Sequence, residues 1–166
     1  MKRKLVSLLA VLTLLLTVIP IQAYAIHESM LRFQIGDNNY YVTSGSAVEI
    51  RNSMDTAPII YEDRTLLPIK YVIEPLGGGI IWNSDEKKVT ITIDETTIEL
   101  WIGNNTAKVN GISQIIDPSN KNVVPILVDP GRTMLPLRFI SEILSCTINW
   151  IDKTENITII DWEKQK

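Results

Sequence analysis

Past residue 28 the chain is a succession of short apolar runs separated by polar turns. Leu31–Ile35 and Thr97–Ile102 read as strands. Each runs through a Gly-Asp or Gly-Asn turn into a second strand, Tyr40–Thr43 or Ala107–Val109, which is a hairpin signal. A proline-containing apolar stretch follows, Pro58–Tyr61 or Pro125–Val128, and then Arg-Thr-x-Leu-Pro. That proline suits the first turn of a helix, where its missing N–H costs nothing. Ile69, Val72, Ile73 and Leu76 are spaced i, i+3, i+4, i+7. Leu137, Ile140, Ser141 and Leu144 repeat the spacing, so each set predicts one buried stripe on a short helix. Gly77-Gly78-Gly79 stops the first helix and Ser145-Cys146 stands in its place after the second. A closing hairpin is predicted from Ile80–Trp82 and Lys88–Ile93, and again from Thr147–Trp150 and Asn156–Ile160.

The same order of elements twice over is an internal repeat. Arg64 to Leu76 aligns with Arg132 to Leu144 at an offset of 68, with six of thirteen positions identical. Trp82 falls on Trp150 at the same offset, and Val89-Thr90-Ile91 on Ile157-Thr158-Ile159. Upstream the offset is 67, so that Ile35-Gly36 matches Ile102-Gly103 and Pro58 matches Pro125. The repeats are therefore set at 26–96 and 97–166. A helix this short needs a sheet to pack on. The expected fold is α+β: a duplicated unit, each copy a twisted antiparallel sheet packed around one short α-helix.

Residues 1–25 are different in kind. Lys2, Arg3 and Lys4 precede an almost wholly apolar run, Leu5 to Ile19, then Pro20 and Ala23-Tyr24-Ala25. These are the parts of a secretory signal peptide in order, with a retained membrane anchor as the alternative. Localisation is accordingly expected to be secreted or cell-envelope associated, with no transmembrane segment in the mature chain. Removing three basic residues and no acidic ones leaves 13 basic against 19 acidic, a formal −6. Such a surface disfavours nucleic acid, whose binding begins with phosphate neutralisation. Cys146 is the only cysteine, so no disulfide can form within the chain. It is expected to be buried as a small apolar residue.

Gly131-Arg132-Thr133, Pro136-Leu137-Arg138-Phe139-Ile140, Glu142, Trp150 and the strand ending Ile157-Thr158-Ile159 resemble the copper amine oxidase N-terminal-like domain, or stalk domain. The first copy resembles it too, with Asp63 for the usual Gly and Pro75 inside the helix, where it weakens or ends it. The resemblance implies a strongly twisted antiparallel sheet around a helix. It also implies an accessory stalk remote from any copper, in a family found, often as repeats, in exported and envelope-associated bacterial proteins.

The candidate chemistry is sparse. Copper sites need several imidazoles, and His27 is the only histidine. No cofactor or metal is expected. Asp85, Glu86, Asp94 and Glu95 fall in predicted turns, where solvated acids are ordinary. No nucleophile motif or phosphate-binding loop occurs, so no catalytic residue is assigned and the chain is read as not an enzyme. The repeat motif itself comprises Arg64, Thr65, Pro68, Glu74 and Trp82, and Arg132, Thr133, Pro136, Glu142 and Trp150. Arg64 with Glu74, and Arg132 with Glu142, recur ten residues apart and are read as ion pairs from strand to helix, with a ligand clamp as the rival. Trp101 and Trp162 have no Trp counterpart in the other copy and are candidates for an exposed binding surface.

The function read from these features is a non-catalytic envelope or extracellular module for attachment or protein–protein contact. The partner would be an envelope or extracellular protein, or a cell-wall glycan if the alternative, a carbohydrate-binding module, holds. A secreted hydrolase with an unrecognised acidic site, or an inhibitor presenting a protruding loop over 112–124, are further rivals. The cleavage rule makes a direct prediction: the exported protein begins at Ile26. Intact-mass spectrometry of the mature fraction checks this, and a chain still starting at Met1 would refute it.

Overall fold

Runs rich in Ile, Val, Thr and aromatic residues favour extended backbone because their side chains pack well on a pleated surface. The computed structural model, which describes residues 28–44, 48–151 and 157–163, arranges these runs as antiparallel sheets. The first half contains β1 (Glu28–Gln34), β2 (Asn39–Ser44), β3 (Glu49–Ser53), β4 (Ile59–Tyr61), β5 (Arg64–Pro68), α1 (Lys70–Ile73), β6 (Gly79–Asn83) and β7 (Lys88–Ile93). The second contains β8 (Thr96–Trp101), β9 (Thr106–Val109), β10 (Ile112–Ile115), β11 (Ile126–Val128), β12 (Arg132–Pro136), α2 (Leu137–Ile143), β13 (Thr147–Ile151) and β14 (Ile157–Glu163). Strands β3 and β10 are additions to the elements predicted above. No helix among the described residues is long and apolar enough to cross a membrane. The signal-peptide assignment and His27 lie outside the described residues.

The expected pair of units, each with its own sheet around its own helix, is not what forms. The fold is mostly β, with helices of only four and seven residues. Every sheet draws strands from both halves. The first has the order β13-β14-β1-β2-β3, the second β10-β9-β8-β7-β6 and the third β11-β12-β5-β4. The reason is local. Asp94 and Glu95 form a tight turn, with Asp94 at φ +48°, that folds β8 back onto β7 in register from Ile93–Thr96 to Lys88–Trp101. The point where the sequence pattern starts again is thus the tip of a hairpin. At the opposite end, β14 pairs along the whole of β1, from Gln34–Ile157 to Glu28–Glu163.

The third sheet joins the halves at its centre. Strands β5 and β12 pair antiparallel with Leu67 opposite Leu135, Leu66 opposite Pro136 and Pro68 opposite Met134. Leu67 and Leu135 enter the main core, while Leu66 and Met134, one residue back on each strand, are also fully buried. Burial on both faces explains why these strands read as unbroken apolar runs without alternation. One core holds Leu31 and Phe33 from the first sheet, Ile91, Ile98 and Leu100 from the second, and Val72, Ile73 and Ile140 from the helices.

The predicted helical stripes are buried: Ile69, Val72, Ile73 and Leu76 in one half, Leu137, Ile140, Ser141 and Leu144 in the other. Helix α1 stops at Ile73, two residues before Pro75, whereas α2 runs two residues further in the aligned register, to Ile143. Both end in a left-handed residue, Gly77 at φ +82° and Ser145 at φ +54°. The next residue closes the turn, Gly78 N–H to Ile73 O at 3.0 Å and Cys146 N–H to Ser141 O at 2.8 Å, which is the Schellman arrangement. Cys146 is half-buried against the core rather than fully buried.

Gly78 is confined in a way that Cys146 is not. A β-carbon at residue 78 would sit 2.6 Å from Ile73 Cγ2 and 3.0 Å from Thr92 O. Gly78→Ala should therefore destabilise the fold by roughly 1–3 kcal/mol through overpacking, despite alanine's better helix propensity. Urea unfolding measures it, and Gly79→Ala, where a β-carbon meets no atom within 4 Å, serves as the control.

Candidate functional site

The β5–β12 pairing carries each half's Arg-Thr dipeptide to the helix of the other half, and a groove opens at each crossing. The larger, about 760 Å³, lies between Asp63-Arg64-Thr65 and the α2 residues Arg138, Phe139 and Glu142. The smaller, about 310 Å³, lies between Gly131-Arg132-Thr133 and Lys70 and Glu74 around α1, with Trp82 and Leu127 at its side. Their strand and helix parts match at an offset of 68. Lys70 and Glu74 stand where Arg138 and Glu142 stand, Ile69 where Leu137 stands, and Ile80 where Ile148 stands. Each groove thus offers a cation and a carboxylate one helical turn apart above an apolar floor.

The arginines are not paired as the sequence suggested. Arg64 does not bridge to Glu74, nor Arg132 to Glu142. Arg64 Nε donates to Asp117 Oδ2 at 2.6 Å and its Nη2 to Ser119 Oγ at 2.8 Å. Arg132 donates from Nε and Nη2 to both carboxylate oxygens of Asp55. Glu74 is exposed beside Lys70 at 3.9 Å, and Glu142 is exposed at the rim of the larger groove. The geometry forbids the expected pairs because each arginine side chain leaves its strand toward the opposite half.

Asp55 and Asp117 occupy equivalent places. Each follows a buried residue whose N–H bonds back to the turn of the preceding hairpin, Met54 to Asn38 O at 2.6 Å and Ile116 to Asn105 O at 2.8 Å. Asp117 is 8% exposed and accepts from the Ser119 hydroxyl, Ser119 N–H and Asn120 N–H. The Ser119 hydroxyl first, then Arg64 and these amides, hold its carboxyl far below the usual carboxylate range. Asp55 is more open. Arg132 first, then the Tyr71 hydroxyl donating at 2.9 Å, lower its pKa to about 2. Tyr71 packs on Tyr40, which stacks on Phe33, tying this pair to the core.

The remaining motif residues fall as follows. Thr65 and Thr133 are half-buried on β5 and β12, facing the grooves, and Pro68 and Pro136 are buried at the ends of those strands. Trp82 is 43% exposed. Trp101 is half-buried, with the ammonium groups of Lys88 and Lys108 each 5.9 Å from its ring centre. The side chains of Trp150 and Trp162 lie outside the described residues. Asp85, Glu86, Asp94 and Glu95 are exposed in turns. The segment over 112–124 is a strand followed by a turn tied down by Asp117, buried Val123 and Asn105 Nδ2 donating to Val123 O at 2.7 Å. It is not a free protrusion. Among the described residues no three His, Cys, Asp or Glu side chains gather as a metal site.

Residues 43–159 match the copper amine oxidase N-terminal domain family, well over half of the chain. The chain belongs to that family. The matched part is the non-catalytic, stalk-like domain, and no catalytic domain of those oxidases is matched. No curated protein and no solved structure matches the chain. Within this domain the Arg64–Asp117 and Arg132–Asp55 pairs each join one half to the other.

Two predictions follow from the clamps. Arg64→Ala strips the cation from a nearly buried carboxylate and should cost roughly 2–3 kcal/mol, against about 1 or less for Arg132→Ala at the more open pair. Thermal unfolding of the two variants checks the order. The second concerns pH. A carboxylate whose folded pKa is depressed contributes stability above its unfolded pKa, ~3.9, and loses it as pH falls through the folded value, about 2 for Asp55. The stability difference between wild type and Asp55→Asn should therefore be constant at neutral pH and close between pH ~4 and ~2. Denaturation midpoints across that range measure it.

Proposed function

We propose that this stalk-like domain is an exported or envelope-associated, non-catalytic module that mediates attachment or protein–protein contact, and that its two equivalent grooves are the contact surfaces. The observation that carries this reading is the recurrence of one arrangement, cation and carboxylate over an apolar floor, at both crossings. Membership of a family whose domain is non-catalytic supports it. Export rests on the signal-like pattern of residues 1–25, and we attribute the matching halves to duplication of one ancestral segment.

A carbohydrate reading keeps one specific support. Trp82, partly exposed at the smaller groove beside Thr133 and Lys70, offers the flat apolar face with polar neighbours that a sugar ring requires. The experiment separates the two. Residues 26–166 immobilised as bait are exposed to an envelope protein fraction and, separately, to purified cell-wall polysaccharide. Retention of a defined envelope protein that is lost on Lys70→Glu with Arg138→Glu supports the contact reading. Retention of polysaccharide that is lost on Trp82→Ala replaces it with the carbohydrate reading. Retention of neither, or retention indifferent to all three substitutions, refutes the grooves as the site.

A further inference from the structure

Strand β6 is the outer strand of the second sheet, and its unpaired side is exposed in an unusual way. Across that sheet one solvent-facing row runs Ile81, Thr90, Glu99, Lys108, Ser113. Four of the five are polar, as an open face demands. Ile81, at the edge, is 68% exposed. On the opposite face the next row places Trp82 at the same edge, 43% exposed. Apolar side chains thus project on both faces of a strand whose outward N–H and C=O groups pair with no strand among the described residues.

Exposed edges are ordinarily blunted by charge, proline, bulges or brevity. The other edges are charged or shorter. Strand β3 carries Glu49 and Arg51, and β4 and β11 are three residues long. Strand β10 has four residues, one fewer than β6. Gly79–Asn83 has five residues with no charge and no proline, regularly paired on its inner side. The corresponding edge, β13, ends in side chains outside the described residues.

We propose that β6 pairs antiparallel with β6 of a second copy of this chain, joining two five-stranded sheets into one. The strand is self-complementary about its middle residue. A two-fold axis at Ile81 sets Ile81 against Ile81, Ile80 against Trp82 and Gly79 against Asn83, so apolar meets apolar on both faces. Charge does not oppose this occupant in the register given. The chain is net acidic, and copies repel wherever their surfaces carry like charge. In this register the charged turn over 84–87 of one copy falls opposite Pro75-Leu76-Gly77-Gly78 of the other, which carries no charge. Such an isologous pairing closes on itself and yields a dimer.

The test uses purified residues 26–166 in sedimentation velocity over a range of concentrations. Wild type should show a reversible monomer–dimer equilibrium. Ile81→Lys, which sets lysine against lysine on a side chain that is already exposed, should abolish the dimer while circular dichroism stays unchanged. Ile112→Lys, an equally exposed isoleucine on the opposite edge, should leave the dimer intact. A second measurement needs no loss of function. Directly opposed residues of an antiparallel pair bring their β-carbons within about 4.5–5.5 Å, close to disulfide reach. Ile81→Cys in a Cys146→Ser background should therefore cross-link into a covalent dimer on mild oxidation, and Thr90→Cys on the inner strand should not. A protein that is monomeric at its highest soluble concentration, a dimer indifferent to Ile81→Lys, or equal cross-linking from residues 81 and 90 would overturn the proposal.

Discussion

The antiparallel contact between β5 and β12 is the constraint from which the rest of the architecture follows. Its centre is Leu67 against Leu135, two residues at equivalent places in the two halves, and the flanking pairs exchange roles, Leu66 with Pro136 and Pro68 with Met134. A pairing of that kind relates the halves by a local two-fold. Once it is set, Arg64 must point into the second half and Arg132 into the first. The carboxylates that meet them, Asp117 and Asp55, are correspondingly each on the far side. Each half also repeats one backbone bond within itself, Gly36 N–H to Pro58 O at 2.9 Å in the first and Gly103 N–H to Pro125 O at 2.8 Å in the second. The grooves are a by-product of this geometry. Two strands crossing from opposite halves leave a gap against each helix, and the exposed helix residues supply its charges.

Local features were readable from the residues because local physics makes them. The helical stripes were legible because Ile69, Val72, Ile73 and Leu76 can share one face only at helical spacing. The helix stops were legible in Gly77, and the weakening of α1 in Pro75. What the pattern could not convey was the partner of each strand. Alternation says that a strand has a buried face, but it does not say which sheet receives it. The recurrence at residue 97 looked like a boundary between units, and the chain instead makes a two-residue turn there and carries on pairing. Strands β3 and β10 were missed because Glu49-Ile50-Arg51-Asn52-Ser53 and Ile112-Ser113-Gln114-Ile115 are edge strands with mostly exposed side chains, so the apolar signal is weak.

The clamp residues were hidden by a loop-length difference. Asp55 and Asp117 lie 62 residues apart, whereas the surrounding sequence repeats at 67 and 68. In the aligned register Asp55 falls on Asn122, and the correspondence disappears. The first half reaches its Asp only after a longer β3, while the second half inserts residues after its Asp, where Ser119, Asn120 and Asn122 build a turn around the carboxylate. The identical Arg-to-Glu spacing in both halves looked more persuasive than it was. It reflects the shared distance from strand to helix, and Glu74 and Glu142 are at the helix surface because that is where the stripe leaves room for a charge.

Interleaving has an energetic consequence that stacking of two finished units would not have. The main core draws on both halves at once, with Leu31, Phe33, Leu67, Ile98 and Leu135 in one cluster. Neither half could bury its own apolar surface alone, since the strands that cover it belong to the other. A chain without an internal disulfide must obtain its stability from such burial, and a domain of this size buries a larger share of its surface as one core than as two small ones. The arrangement also ties the grooves to the fold as a whole. A displacement at Arg132 is felt through Asp55, Tyr71 and Tyr40 at Phe33 in the first sheet, whereas Arg64 is held by a self-contained turn. The two clamps are therefore alike in outline and different in support, one reaching the core through a chain of aromatic side chains and the other closed within a single turn.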